Sequence, residues 1–578
     1  MLKRHLLPKT PTRILLFVAL ALVTGLALRA ALWRPFDVIG QGRNDGLFHV
    51  SGAIHVHTTA SDGSGSPDDI LTAARTAGVD FLAITDHNNL DAKPYQGYRD
   101  GVLTIVGAEL STNAGHMLAL GIPDPGFQFS GDVGDSLDDV RHLGGVAFAA
   151  HPWSPRQDLS WTGWDLPGAW GVELMNLDSA WRLAGWTRLA RAAIFYPINN
   201  RYAWLAALDT PGGRLSDWDA LLAERDVPGI VGTDAHGHVD IVEGLSLPFP
   251  DYESLLSFAK NHILLDAPLT GTPATDASKI VEALRRGASY VAVDALAPAD
   301  GFSFTVESDD GRFTMGDTAP LASSHRLMAG GRLPERTTLT LFRDGLPIAE
   351  REASLVLPTP GPGVYRVEAR LPGWKLPWII SNPIYVFGDA TRNARAARAR
   401  WPQVPPPPAP VQILDSFEGQ TIFQAGFDAS SWMNEDILAP TEGADGHGAG
   451  RMEFRLGTQD SRQSDSSCEL ANREQRDLTG RHGLVFSIKG DAEYRVWVQV
   501  RDDNPVLTES VESWSASART SEGWRRVAIP FTAFRSTNPA TDGTLDLDQV
   551  RALVFLVDRG AAKIGTSGTI WIDDVGVY

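Results

Sequence analysis

The chain has 578 residues, 43% of them hydrophobic, a formal charge of −19 and a single cysteine, Cys468. That length exceeds one ordinary core and corresponds to roughly three or four domains. The acidic balance argues against a general nucleic-acid or anionic-membrane binder, which needs a basic footprint, but leaves room for a local basic pocket; one thiol excludes an internal disulfide.

In chain order, Ile14–Leu28 is apolar apart from Thr24 and Gly25, and Lys3, Arg4, Lys9 and Arg13 precede it. Continued to Trp33 it makes 20 residues interrupted only by Arg29, enough for a hydrocarbon core of about 30 Å. The charge order keeps the N-terminus in the cytoplasm and sends the rest out, periplasmic in a bacterium. No convincing small-x-small cleavage site precedes Trp33, so the reading of residues 1–36 as an anchor is placed ahead of a cleaved signal peptide.

Residues 46–298 alternate β-rich runs with helical patterns. Ala53–His57, Val79–Thr85, Leu103–Glu109, Met117–Gly121, Val146–His151, Gly171–Asn176 and Gly229–Thr233 read as buried strands. A helix starts at Ser66, with Pro67 at its first position, Asp68 and Asp69 on the dipole, and Gly78 at its end. The alternation predicts a parallel sheet or barrel. Residues 299–390 read as a small antiparallel sandwich, built on Phe302–Val306, Thr338–Phe342 and Gly363–Glu368. Residues 391–412, with the Arg392–Arg400 Arg/Ala stretch and Pro405–Pro408, read as a linker. Residues 413–578 are again β-rich.

The chemistry lies in the first domain. His55 and His57 stand two apart on a predicted strand, so period two puts both on one face. Asp62 follows in a Ser-Asp-Gly loop. Later strands end, or nearly end, in Asp86–His87, Glu109, His151 and Asp234–Ala235–His236, and the next run after Glu109 opens with His116. A single histidine at a strand end is usually structural; strand after strand ending this way matches the rim where barrel enzymes keep their chemistry. Mixed His and carboxylate donors suit Zn²⁺, Mn²⁺ or Fe²⁺ better than Ca²⁺, and no serine or cysteine nucleophile is needed.

This order of motifs (His-x-His, Ser-Asp-Gly, Thr-Asp-His, a strand-end Glu, Ala-His-Pro, Asp-Ala-His) resembles the PHP superfamily of metallohydrolases over roughly 52–293. The resemblance implies a distorted seven-stranded β/α barrel with two or three divalent ions. His55, His57, Glu109 and Asp234 would hold one ion. Glu109 would bridge to a second with His116 and His151, and Asp62, His87 and His236 would hold a third. Gly115–Gly121, Val172–Asn176 and Ala283–Val291 are similar to phrases of the carbaryl-hydrolase-like CehA/McbA branch. Asp86 is a candidate to orient a ligand and His238 to protonate a leaving group. Arg156, Arg182 and Arg201 are candidate phosphate clamps, and a minority of the aromatics between Trp153 and Trp218 are candidates for a lid or wall. The cadence Gly483–Gly490, Trp524, Ile529–Phe531 and Gly568–Asp574 resembles jelly-roll carbohydrate-binding modules.

The expected architecture is therefore multidomain: an anchor, an α/β PHP barrel, an Ig-like β-sandwich, a linker and a C-terminal β jelly-roll. The expected activity is phosphoester hydrolysis at a metal centre on a small-molecule or glycan-linked substrate. Hydrolysis of a carboxyl or carbamate ester, and non-catalytic glycan binding outside the cytoplasm, are the alternatives.

Overall fold

The computed structural model describes residues 10–40, 42, 45–208, 210–211, 213–242, 245–247, 249–309, 311–321, 325–358, 361–458, 466–504, 506, 511–536 and 538–578. The chain divides into two compact units, residues 1–122 with 140–402, and residues 123–139 with 403–578.

The first unit begins with helix α1 (Thr10–Leu32). Lys3, Arg4 and Lys9, the positive flank of the expected anchor, lie outside the described residues. Among the described residues no helix is long and apolar enough to cross a membrane. Strands β1 (Phe48–Val56), β2 (Phe81–Ile84) and β3 (Val102–Val106) pair in parallel. Between β1 and β2, helix α2 (Pro67–Thr76) starts as its sequence dictates. Ser66 accepts the Asp69 N–H, and the Asp69 carboxylate accepts the Ser66 N–H in return, which is a capping box.

A second sheet holds β4 (Ala108–Thr112), β5 (Gly115–Leu120), β6 (Val146–Ala149), β7 (Gly171–Asn176) and β8 (Gly229–Gly232), in that spatial order. The run read as one strand, Leu103–Glu109, is thus two strands in two sheets. The break falls at Gly107, where a Cβ would lie 2.2 Å from the Ala119 carbonyl oxygen, so only glycine lets the chain cross. The sheet is also mixed where a parallel one was expected. Only Asn113 and Ala114 join β4 to β5, too few for a crossover, so β4, β5 and β6 pair antiparallel, and only β6, β7 and β8 run parallel.

The two sheets meet at two seams. Thr233 N–H donates to the Ile54 carbonyl (2.9 Å) and His57 N–H to that of Ala235 (3.0 Å); Asn88 N–H donates to the Glu109 carbonyl (2.9 Å) and Glu109 N–H to that of Asp86 (3.1 Å). Both seams sit where strand ends release histidine and carboxylate side chains.

The region read as a separate sandwich is not separate. β9 (Lys260–Leu265) pairs with β1, β10 (Ser289–Ala292) pairs with β9, and β11 (Ile379–Ser381) pairs with β10. A 12-stranded sheet therefore runs on from β1, β2 and β3 into the middle region. The free edge of β10 is closed by a strand that the change in sequence texture assigned elsewhere. A four-stranded sheet built on Phe302–Ser308 and Arg326–Gly331 accompanies it. The start of the expected linker is a helix, α3 (Asp389–Arg398), as its Ala and Arg content favours. Its Arg395 is buried and donates to Asp226 Oδ1 and to the Leu222 and Ala223 carbonyls.

The second unit is a two-sheet antiparallel sandwich of seven and six strands. Met452, Phe454, Phe486, Ile488, Val498, Phe555 and Ile572 fill its interior. Cys468 lies in the same core, and burial pushes its thiol up to about 12, which makes it inert as a nucleophile. The segment 123–139, within the span read as the first domain, packs here. Phe127 lies under the Arg495 guanidinium (5.3 Å), Arg495 pairs with Asp139, and Arg519 pairs with Asp138 and Asp139.

Candidate metal centre

His55 sits at a bulge in β1, where the register with β2 shifts between Ile54 and Val56, and its φ is +72°. Strict alternation therefore does not by itself bring His55 and His57 together; the bulge turns them so that their rings lie 5.1 Å apart. His151 (φ +30°) and Asp234 (φ +49°) are the other left-handed residues of the cluster. Three such backbones in one place mark a site whose surroundings hold strain.

Glu109 is the hub. Its Oε2 lies 3.1 Å from His55 Nε2, 3.2 Å from His57 Nε2 and 3.3 Å from His87 Nδ1. Its Oε1 lies 2.8 Å from His116 Nδ1 and 2.9 Å from His151 Nε2. Asp234 Oδ1 faces His55 Nε2 at 3.4 Å and His57 Nε2 at 3.5 Å. Asp62 Oδ2 faces His87 Nε2 at 3.4 Å and His236 Nε2 at 3.3 Å, and its Oδ1 lies 3.4 Å from His57 Nδ1. All nine residues singled out in the sequence are thus brought together. His116 arrives by the antiparallel return of β5, which sets it opposite Ser111 and diagonal to Glu109.

The electrostatics follow from crowding. Burial alone would raise the Glu109 carboxyl, but His55 and hydrogen bonds from His116 and His151 hold it well below the usual carboxylate range. Asp234 is held low against its burial by His55, His57 and His236. Burial would lower His55, yet Glu173, Asp234 and Glu109 raise it well above its ordinary value. His236, against its own burial, is raised to about 9 by Asp62 and Asp234.

These donors fit divalent ions. His55 Nε2, His57 Nε2, His87 Nδ1 and His151 Nδ1 are buried with no hydrogen-bond partner, a costly state unless something else satisfies them. Metal bonds of about 2.1 Å set neighbouring donors about 3.0–3.4 Å apart, depending on coordination number. The spacings around Glu109 Oε2, Asp234 Oδ1 and Asp62 Oδ2 fall close to that range. Among the described residues, three groups bring their donor atoms within 4.8 Å of one another: His57, Asp62, His87 and His236; His55, His57 and Glu109; and His87, Glu109 and His116.

Residues 53–129 match the family model of the PHP domain. Residues 400–578 match that of a carbohydrate binding domain, family 11. An uncharacterized protein of Methanocaldococcus jannaschii is 27% identical over 117 residues, which is 18% of this chain and 67% of that protein. Among solved structures, the family 11 carbohydrate-binding module of a Clostridium thermocellum cellulosomal cellulase is 21% identical, with 29% of this chain and 92% of that one covered and a TM-score of 0.24. A two-domain Bacteroides vulgatus protein, described as containing a predicted PHP-like metal-dependent phosphoesterase, is 15% identical. It covers 60% of this chain and 99% of its own, with a TM-score of 0.29.

Around the histidine–carboxylate cluster lies a supporting layer that sequence reading placed only in part. Glu173 lies within the Val172–Asn176 phrase. Its Oε1 accepts the His55 Nδ1–H (2.7 Å), and its Oε2 accepts the His151 backbone N–H (2.6 Å) and Asn176 Nδ2–H (2.9 Å). A carboxylate on Nδ1 fixes the tautomer that leaves Nε2 as a ligand. Gly232 makes room for it, since a Cβ there would lie 1.7 Å from Glu173 Oε1. Asp86 accepts from Thr58 N–H (2.7 Å), Thr58 Oγ1 (2.8 Å) and Ser61 Oγ (2.6 Å), and so holds the loop that carries Asp62.

The cluster opens into a cleft of about 410 Å³, also lined by Arg156, Arg182, Trp181, His238, Leu159 and Val239. Arg182 Nε donates to Asp178 Oδ2 (2.6 Å), and Arg156 Nη2 lies 3.9 Å from the same oxygen. Arg201, the third candidate clamp, is not among the lining residues. Of the aromatics, Trp161, Trp170, Tyr202 and Trp204 are buried, whereas Trp181 forms part of the cleft wall.

Proposed function

We propose that the chain is a metal-dependent hydrolase of phosphoesters. The reading rests on one observation: two guanidiniums sharing a single carboxylate line the same cleft as the histidine–carboxylate cluster. His55, His57, Glu109 and Asp234 would hold one ion, Glu109, His116 and His151 a second, and Asp62, His87 and His236 a third. Zn²⁺, Mn²⁺ or Fe²⁺ bound there supplies Lewis acidity toward a phosphoryl oxygen and acidifies water. Glu173 keeps His55 in its ligand tautomer, and Asp86 keeps Asp62 in register. Arg156 and Arg182 bind the substrate's anionic oxygens. His238 is assigned proton delivery to the leaving group. Cys468, buried in another core, takes no part.

Hydrolysis of a carboxyl or carbamate ester, as the likeness to the CehA/McbA branch suggests, is the second reading; the Trp181, Leu159 and Val239 wall favours it. Carbohydrate is the proposed ligand of residues 413–578, supported by the family 11 match. Placement outside the cytoplasm, tethered through residues 1–36, rests on the Ile14–Leu28 run and the charges before it.

The test is hydrolysis by the full chain loaded with Mn²⁺ or Zn²⁺, on aryl phosphate, aryl phosphodiester and aryl carboxyl ester, with Asp234→Ala as control. Turnover of phosphorus substrates that Asp234→Ala abolishes supports the first reading. Turnover of the carboxyl ester alone moves it to the second.

A further inference from the structure

The helical insertion after β7 carries a surface that the metal centre does not use. Its helix Trp186–Phe195 buries Ala192 and Phe195 and turns the row Trp186, Ala190 and Ile194 outward. These positions are four apart and so share one face. Trp186 is 79% exposed and Ile194 64% exposed, and exposed Leu183 and Ile198 extend the patch at both ends. A large exposed tryptophan with aliphatic neighbours on one face of a helix signals a partner.

Two further observations identify that partner. The first is continuity with α1. Asn199, one residue past Ile198, donates from Nδ2 to the Ala30 (3.1 Å) and Trp33 (3.2 Å) carbonyls. Trp33 packs on Tyr202 with ring centroids 6.0 Å apart. The end of α1 is therefore fastened to this insertion, and its Leu26, Leu28 and Leu32 are exposed as well. The second is charge. In a protein of net charge −19, the stretch Leu183–Arg201 has three arginines and no acidic residue. Arg29 and Arg34 add to it from the end of α1. Exposed Trp, Leu and Ile interleaved with Arg is the composition of a helix that lies in a lipid interface rather than one that packs on protein.

We propose that this face, Leu183–Ile198 with the end of α1, docks on the surface of an anionic lipid bilayer. The inference rests on the membrane reading given above, and goes beyond it: the globular unit itself lies on the lipid and is not merely tethered to it. The helix Leu177–Arg182, whose Trp181 and Arg182 line the metal cleft, leads straight into the patch.

The test uses the full chain with vesicles of phosphatidylcholine and phosphatidylglycerol. The native thiol, Cys468, is buried, so an environment-sensitive dye reacts selectively with an introduced cysteine. Trp186→Cys and Ile194→Cys probe the patch. Leu346→Cys, on a strand where the leucine is 69% exposed, is the control. The proposal expects the dye at 186 and 194 to shift to the blue and to be quenched by nitroxide-bearing lipid several-fold more than the dye at 346. Vesicle binding with equal quenching at all three positions overturns this proposal and leaves the tether standing. No vesicle binding overturns both.

Discussion

Removing the charge of Glu173 should weaken the metal centre without unfolding the domain. The carboxylate accepts three hydrogen bonds, from His55 Nδ1, the His151 backbone N–H and Asn176 Nδ2. A glutamine of the same shape has only one acceptor oxygen. If that oxygen faces His151 and Asn176, its NH₂ meets the His55 Nδ1–H, and the imidazole must move its proton to Nε2. Nε2 is the atom 3.1 Å from Glu109 Oε2 and 3.4 Å from Asp234 Oδ1, where a lone pair is needed. If the amide is reversed, the NH₂ meets the His151 N–H instead. Losing such a support costs about 10–100-fold in metal affinity, or roughly 1.4–2.7 kcal/mol. Gly232→Ala reaches the same carboxylate from behind, through a Cβ 1.7 Å from Oε1. It should cost a similar amount, and the double variant should fall short of the sum because both act on one group. The assay is competition for metal against a chelator at fixed pH, with melting temperature as the check on folding. A Glu173→Gln protein that keeps metal affinity within about twofold of wild type would refute the claim that Glu173 sets the His55 tautomer.

Asp86→Ala removes the acceptor for Thr58 and Ser61, so metal analysis should show loss of the ion assigned to Asp62, His87 and His236 while the others stay; unchanged stoichiometry counts against that role. In the metal-free chain His236 is raised from 6.5 to about 9. A raised imidazole stabilises the fold fully below pH 6.5 and loses that contribution as pH rises through about 9. Melting temperature should therefore fall over that window in wild type more than in His236→Gln, and parallel profiles contradict it. Arg182→Ala should raise KM for aryl phosphate by about tenfold and leave the carboxyl ester unaffected; equal effects on both would remove Arg182 from phosphate binding.

The side chains of the cluster were legible in the sequence as a pattern: imidazoles and carboxylates at strand ends, in a fixed order along the chain. Their supports were less so. His55 and Glu173 are 118 residues apart, and nothing local says that β7 comes to lie behind β1. Gly107 and Gly232 read as ordinary glycines until the neighbouring atoms are known. The same limit explains the sheet. Leu103–Glu109 is uniformly apolar enough to be one strand, and only the approach of Ala119 splits it. Residues 299–390 differ in texture from the region before them, yet β11 extends that region's own sheet at β10, a long-range pairing that composition does not report. The Arg/Ala run falls within the span expected as a linker, yet its own helix propensity makes Asp389–Arg398 a helix.

The central claim, a metal centre built on Glu109, is tested most directly by metal content. Elemental analysis of the full chain after reconstitution with Mn²⁺ or Zn²⁺ should find two or three tightly held ions, and Glu109→Gln should lose most of them with little change in fold. A wild-type chain that is folded and retains no metal under those conditions would contradict the account.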